Sequence, residues 1–402
     1  MRGHVAAKGN KYYIVVDIKD ETTGKRKRKW LTGSDGKGFD RKRDAEREMP
    51  LILTKLNDGT FKETSTDSFD ILMSKWLEDK KSAVRPGTWK SYAWLVNTHI
   101  IPHLGKVKAA RLEPQQLHTL YHKTLKGVIS ISSIKKLHVL ILDALNRAVT
   151  WGDLPRNVAS TVELPKGTKT KFEVWNEEQL GRFLDAAAND QFFIVYELAA
   201  STGMRQSEIM ALRWVDVDLE GKKIAVRQAY TKAERGHDFD DTKSAASERS
   251  VSLFPDTVAH LKRHREVQVA RKRENGESYK DSGLVVQTMI GTPVNPRNMM
   301  RNWYALHERI QKEQEEAANR GKAIVPLPRI RFHDLRHTHA TILLKKGAHP
   351  KIVQERLGHS SITVTLDTYS HVLPNMQESV LEGIGMSITG RQETIANKKA
   401  PL

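Results

Sequence analysis

The sequence predicts a multidomain, mainly α-helical protein with small β-sheets: an α+β module, an all-α domain, and a mostly α domain carrying a small antiparallel sheet. Three observations lead there. At 402 residues the chain exceeds one ordinary core, since domains run to roughly 100–200 residues each. Apolar residues recur at helical spacing through most of its length. Strand-like alternation is confined to short runs around 12–18, 217–228 and 249–254.

In YYIVVDI (12–18), Tyr12, Ile14, Val16 and Ile18 share one face, and the turn-like ETTGK leads into a hairpin partner, KRKRKWL (25–31). The segment from Asp40 to Leu56 reads as a short helix capped by Asp40 and disturbed by Pro50. These elements define an expected module over 1–62. After a polar connector, Phe69, Leu72, Met73 and Trp76 repeat at helix spacing. Thr88 opens a helix carrying Trp89, Tyr92 and Leu95, which Pro102 and Gly105 close, and Ile134, Leu137, Ile141, Leu145 and Ala148 form a further stripe. Residues 65–160 are therefore expected to be an all-helical domain. PRNVASTVELPKGTKTK (155–171) has the composition of a linker. A third domain is expected over 173–385. There Asn176 caps one helix, QFFIVYELAASTG forms a second that ends at Gly203, and VDLEGKKIAVRQ turns around Glu220 and Gly221. The tail, 387–402, holds too little apolar surface to pack alone.

The chain carries 66 Lys and Arg against 48 Asp and Glu, a net charge of +18, which points to a polyanionic partner and above all to nucleic acid. The excess is concentrated: residues 1–62 hold 16 cations and 9 anions, including the unbroken run Lys25, Arg26, Lys27, Arg28 and Lys29. These five are candidate DNA contacts. The absence of cysteine excludes disulfides, thiol nucleophiles and Cys-based zinc sites, and fits a reducing cytoplasm. No apolar run approaches the roughly 20 residues that cross a bilayer, and MRGHVAAKGN has no stretch that would act as a secretory signal, so a soluble protein without a membrane partner is expected.

The stretch HDLRHTH (333–339) raises a choice between metal and phosphate. His333 and His337 stand four apart around Asp334, close to a pattern in which two helical histidines hold zinc. Arg336 would place a permanent cation beside that dication, and no third ligand follows at a recognisable spacing. The same one-sided cluster suits a phosphate, to which arginine offers two coplanar donors and histidine a third. Further cations stand at segment ends. Arg205 follows the helix-ending Gly203 and precedes a new helix capped by Ser207, with Glu208 three residues on to hold its guanidinium. Lys243 lies in a polar loop before a strand, His359 in the turn LGHSS, and Tyr369 in a run of hydroxyl and β-branched residues ten positions later.

In that order, Arg205, Lys243, His333, Arg336, His359 and Tyr369 resemble the active-site set of the tyrosine recombinases, the phage integrase family. TGMRQSEIMALRW, HDLRHTHAT, LGHSS and TLDTYSH are similar to that family's signatures. The resemblance implies a catalytic domain at 173–385, a core-site DNA-binding domain at 65–160 and an arm-site module at 1–62. It implies that Tyr369 attacks a DNA phosphodiester to give a 3′-phosphotyrosyl link, with no metal, ATP or other cofactor. Arg205 and Arg336 would stabilise the transition state, His333 would act as base or phosphate ligand, His359 would donate to a nonbridging oxygen, and Lys243 would protonate the departing 5′-oxygen. Glu208 would orient Arg205, and His337 would be a structural neighbour. The implied partners are double-stranded DNA at core and arm sites, three further copies of the chain, and excision or host DNA-bending proteins, in a bacterial cytoplasm. Two rival readings stand beside this: a type IB topoisomerase that reseals the same strand, and a DNA-binding regulator without catalysis.

Overall fold

A computed structural model describes residues 3–19, 26–33, 37–58, 67–167, 173–232, 237–241, 248–323 and 325–369. The fold is mostly helical with small antiparallel sheets, and divides into two compact units, Met1–Lys169 and Thr170–Leu402.

The first unit begins with three antiparallel strands, β1 (Gly3–Lys8), β2 (Lys11–Lys19) and β3 (Arg26–Leu31), in the order β1-β2-β3. Side chains alternate across a strand, so Tyr12, Ile14 and Val16 turn together toward helix α1 (Lys42–Asn57), where they meet Ala45, Met49, Ile52, Leu53 and Leu56. That helix differs from the expectation in two ways. Its N-cap is Arg41, because Asp40 is engaged by Lys11. It also runs 16 residues straight through Pro50, since the apolar stripe packed on the sheet outweighs the one main-chain hydrogen bond that proline removes. The opposite face of the sheet carries Tyr13 and Trp30 edge-to-face at 6.0 Å, with Lys8 Nζ 5.7 Å from the Trp30 ring.

The same unit continues with α2 (Phe69–Ala83), α3 (Pro86–Leu95), α4 (Ile101–Leu104), α5 (Pro114–Thr119) and α6 (Ile131–Thr150). α3 starts at Pro86 rather than Thr88 and passes into α4 through a π-helical turn, Val96–Ile100. Pro102 has no N–H to return to residue 98, and a π-bulge one turn before it absorbs that defect. Ile134, Leu137, Ile141, Leu145 and Ala148 are all buried along α6, facing Phe69, Met73 and Trp76 of α2. Trp76 Nε1 donates to Asp143 at 2.7 Å, which gives a buried indole the partner it needs.

In the second unit, α7 (Glu177–Ala187) opens on a capping box in which Asn176 accepts from the Gln179 N–H and Gln179 returns a bond to Asn176. α8 (Phe193–Thr202) is the centre. It is mostly apolar and buried on nearly every side, as an enclosed helix is, and α7, a short α9 (Gln206–Met210) and later helices pack about it. Strands β4 (Val217–Asp218) and β5 (Lys223–Val226) pair around the expected turn, β6 (Gln228–Lys232) pairs with β7 (His237–Asp241), and β8 (Arg249–Ser252) completes a sheet with β5. Then come α10 (Pro255–Asn275), α11 (Pro296–Asn319), α12 (Asp334–Lys345), α13 (Pro350–Leu357) and α14 (Ile362–Tyr369). Among the described residues, no helix is long and apolar enough to cross a membrane.

His307 of α11 lies 1% exposed among Trp175, Phe183 and Trp303, and among the described residues neither of its ring nitrogens has a hydrogen-bond partner. Burial, aided by the charge of Arg329, pushes its pKa down to about 4. The folded protein therefore resists protonation that the unfolded chain accepts near 6.5, so this contribution is present in full above about pH 6.5 and is lost as pH falls toward about 4. Between pH 7 and pH 5 the loss from His307 should be about 2 kcal/mol. Urea unfolding of His307→Leu at both pH values should show a correspondingly smaller drop than the parent protein.

Candidate active site

The site is built where two helices end. α8 terminates at Gly203 and α13 at Gly358, both left-handed with φ of 67°. Glycine is required at each for reach as well as for conformation. A Cβ on Gly203 would stand 2.7 Å from Leu357 Cδ2 and 2.8 Å from His339 Cδ2, and one on Gly358 would meet the Arg249 guanidinium at 3.0 Å.

Arg336, in the first turn of α12, is buried with 3% exposure, and spans both helix ends. Its Nη1 donates to Gly203 O and its Nη2 to Leu357 O, each at 2.7 Å. Burial, reinforced by the nearby Arg205, pushes its pKa down to about 9, which leaves it charged at neutral pH. Arg205 occupies the N-cap position of α9, two residues earlier than the expected Ser207 cap, because the Glu208 carboxylate takes the Arg205 backbone N–H at 2.8 Å. Its Nη1 also donates to Glu208 Oε1 at 2.7 Å, and its Nη2 to Gly358 O at 3.3 Å.

Glu208 is 3% exposed and has a second cation that sequence reasoning missed. Arg249, at the head of β8, donates to Glu208 Oε2 at 2.8 Å and to Oε1 at 3.2 Å, while its Nε bonds Arg356 O at 2.7 Å. Burial works to raise the Glu208 pKa, but the bonds and charges of Arg249 and Arg205 together hold it below the ordinary value. The only local signal for Arg249 is a lone cation at a strand start, 41 positions from its partner.

Three histidines surround the arginines. His333 precedes α12, and partial desolvation together with the Arg336 charge lowers its pKa. His359 follows Gly358 and places Nδ1 2.8 Å from Thr365 Oγ1, and burial with Arg336 and Arg205 brings its pKa down to about 4. His337, expected to be a neighbour of the phosphate-binding residues, stands against the tyrosine: its Nδ1 is 2.8 Å from Tyr369 Oη. Burial, then the neighbouring His333, pushes its pKa down to about 4. Tyr369, the last residue of α14, is fully buried, and that burial pushes its pKa up to about 12 against the opposing pull of Arg336. Asp334 is taken up by Arg331, accepting from its N, Nε and Nη2 at 2.8–3.0 Å. Among the described residues, no group of three or more His, Cys, Asp or Glu is placed to hold a metal ion.

Arg205, Glu208, His333, Arg336, His359 and Tyr369 thus come together. Lys243 lies outside the described residues, as do Lys25 and the 387–402 tail. Arg26, Lys27, Arg28 and Lys29 all lie on β3 in the other unit.

Comparison with known proteins accords with this geometry. Residues 173–376 match the phage integrase family, and residues 68–125 match the amino-terminal SAM-like domain of phage integrases. A tyrosine recombinase XerC-like protein of Caldanaerobacter subterraneus subsp. tengcongensis is 26% identical over 396 residues, covering 93% of this chain and 96% of its own. Among solved structures, the Tn1549 transposon integrase in complex with transposon right end DNA superposes with a TM-score of 0.66 at 20% identity, over 79% of this chain and 99% of its own. A lambda integrase tetramer bound to a Holliday junction superposes with a TM-score of 0.53 at 15% identity, over 91% of this chain and 94% of its own. The chain belongs to the phage integrase family. It is a site-specific DNA recombinase of the tyrosine class.

Removing Arg249 leaves a buried carboxylate with one cation in place of two. Arg249→Met should lower the free energy of unfolding by about 3 kcal/mol at neutral pH, as measured by urea denaturation. An unchanged midpoint would mean that Glu208 is satisfied without it.

Proposed function

We propose that this recombinase cuts and rejoins double-stranded DNA through a covalent bond between Tyr369 Oη and a 3′-phosphate, and so integrates and excises a phage or other mobile element. The observation that carries the reading is the bond between Tyr369 and His337 beside two arginines anchored on successive carbonyls, Leu357 and Gly358. Guanidinium groups fixed in this way are preorganised for a phosphate whose charge grows in the pentacoordinate transition state, and losing one such donor costs roughly 3–4 kcal/mol at comparable sites.

In the proposed sequence, Arg205 and Arg336 bind the nonbridging oxygens, His333 serves as a phosphate ligand, and His359 donates from Nε2 while the Thr365 hydroxyl donates to its Nδ1. The Tyr369 oxygen forms the bond to phosphorus as the 5′-oxygen leaves, taking its proton from Lys243. His337 receives the phenol proton. Burial holds the phenol pKa up and the His337 pKa down, which favours loss of the proton in the same step as attack rather than before it. A 5′-hydroxyl from the partner strand then reverses the step, conserving bond energy without a cofactor.

The division of labour follows from charge and fold. Residues 173–385 carry the chemistry, 65–160 grip the core site, and 1–62 engage arm sites with Arg26–Lys29 and the aromatic-basic sheet face. Phosphate contacts of this kind give affinity that falls steeply with salt. The reading extends to four copies of the chain on two duplexes, supported by the lambda integrase tetramer on its junction. It also extends to excision or host DNA-bending proteins as regulators, in a bacterial cytoplasm.

The deciding experiment uses a nicked core-site duplex in EDTA, with adduct formation read on a denaturing gel. The parent protein should give a protein–DNA adduct that Tyr369→Phe abolishes. Binding at a verified site with no adduct from the parent protein would overturn the catalytic reading.

A further inference from the structure

We propose that Arg356 and His339 are positioning residues for strand cleavage, bracing the end of α8 against the end of α13 so that the carbonyls holding Arg205 and Arg336 stay in place. The inference rests on the reading above, in which those two arginines receive the scissile phosphate.

The last carbonyls of a helix have no intrahelical partner, and the end of α8 is closed by side chains from two other helices. His339 Nδ1 lies 2.8 Å from Ala200 O, and Arg356 Nη2 donates to Ser201 O at 2.8 Å. Arg336 takes Gly203 O. Because a carbonyl only accepts, Nδ1 of His339 carries the proton, and its Nε2 lone pair faces Arg356 Nε at 2.9 Å. His339 is therefore a neutral imidazole of fixed tautomer, clamped between a helix end and a guanidinium. Its burial, with the Arg356 charge, pushes its pKa down to about 3, in agreement with that protonation state.

The main chain of Arg356 completes the device. Carbonyls 356, 357 and 358 form a row, and each accepts from a different arginine: Arg249 at 2.7 Å, Arg336 at 2.7 Å and Arg205 at 3.3 Å. Thus the residue that opens the row is also the one whose side chain ties it to α8. A guanidinium fits this post because its fork can reach His339 and Ser201 O at once, and its charge is favoured at a helix carboxyl end. A lysine supplies the charge without the fork.

Neither Arg356 nor His339 touches the position assigned to phosphate. Their effect is on alignment, where a displacement of about 1 Å costs roughly 10²-fold in rate. Alignment of the arginines matters only while the phosphate carries a nonbridging charge, and this separates positioning from general structural damage.

The test compares the full-length parent protein, Arg356→Lys, His339→Gln, Arg205→Lys and the Arg356→Lys/Arg205→Lys double variant. Single-turnover cleavage is measured on two nicked duplexes, one with a normal scissile phosphate and one with an uncharged methylphosphonate there. Arg356→Lys should keep its DNA affinity and unfolding midpoint, and cleave the normal substrate roughly 10²-fold more slowly. On the methylphosphonate it should lose far less. The double variant should lose less than the product of the two single losses, since part of the Arg356→Lys effect acts through Arg205. His339→Gln should repeat the pattern, and carries the test if Arg356→Lys does not fold. Equal losses on both substrates, multiplying losses in the double variant, an undiminished rate, or failure of both single variants to fold would each overturn the proposal. A parent protein that forms no adduct at a verified site would instead sink the underlying catalytic reading.

Discussion

The buried guanidinium of Arg336 is the constraint around which the second unit is arranged. A cation taken out of water must be compensated, and here its partners are the electron-rich ends of two helices, Gly203 O and Leu357 O. Satisfying one side chain at two helix termini requires those termini to approach within the span of a guanidinium. That in turn requires residues at 203 and 358 with no Cβ and a left-handed backbone. Remove the cation and both helix ends lose an acceptor's partner; remove either glycine and the ends no longer meet.

Charge within the site is sorted by residue type. The positive charge resides on guanidinium groups, which hold their protons, while His333, His337 and His359 all have their pKa values lowered by burial and by neighbouring cations. Each neutral imidazole keeps one donor and one acceptor. An incoming phosphate brings the opposite charge, which favours protonation of these same rings, so the site's proton affinity rises as substrate arrives. The phenol is meanwhile held protonated by its burial.

Much of this was legible in the sequence, for identifiable reasons. The α6 stripe was readable because its periodicity is local, and Gly203 because helix ends have a residue preference. Arg205, His333, Arg336, His359 and Tyr369 were readable because family motifs mark their surroundings. Arg249, His339 and Arg356 were not. Their partners lie between 17 and 155 positions away, and nothing in the neighbouring residues announces a contact made by folding. The path of α1 through Pro50 and the π-turn before Pro102 were hidden for a related reason: in each, tertiary packing or a local defect overrode the rule that a proline ends a helix.

Anchoring the arginines on main-chain oxygens also bears on how the protein can drift. A carbonyl belongs to every residue, so substitution at 357 changes the side chain without deleting the acceptor that Arg336 uses. The anchoring of these two arginines is thereby written partly in backbone, beside the matched side chains of Glu208 and Arg249.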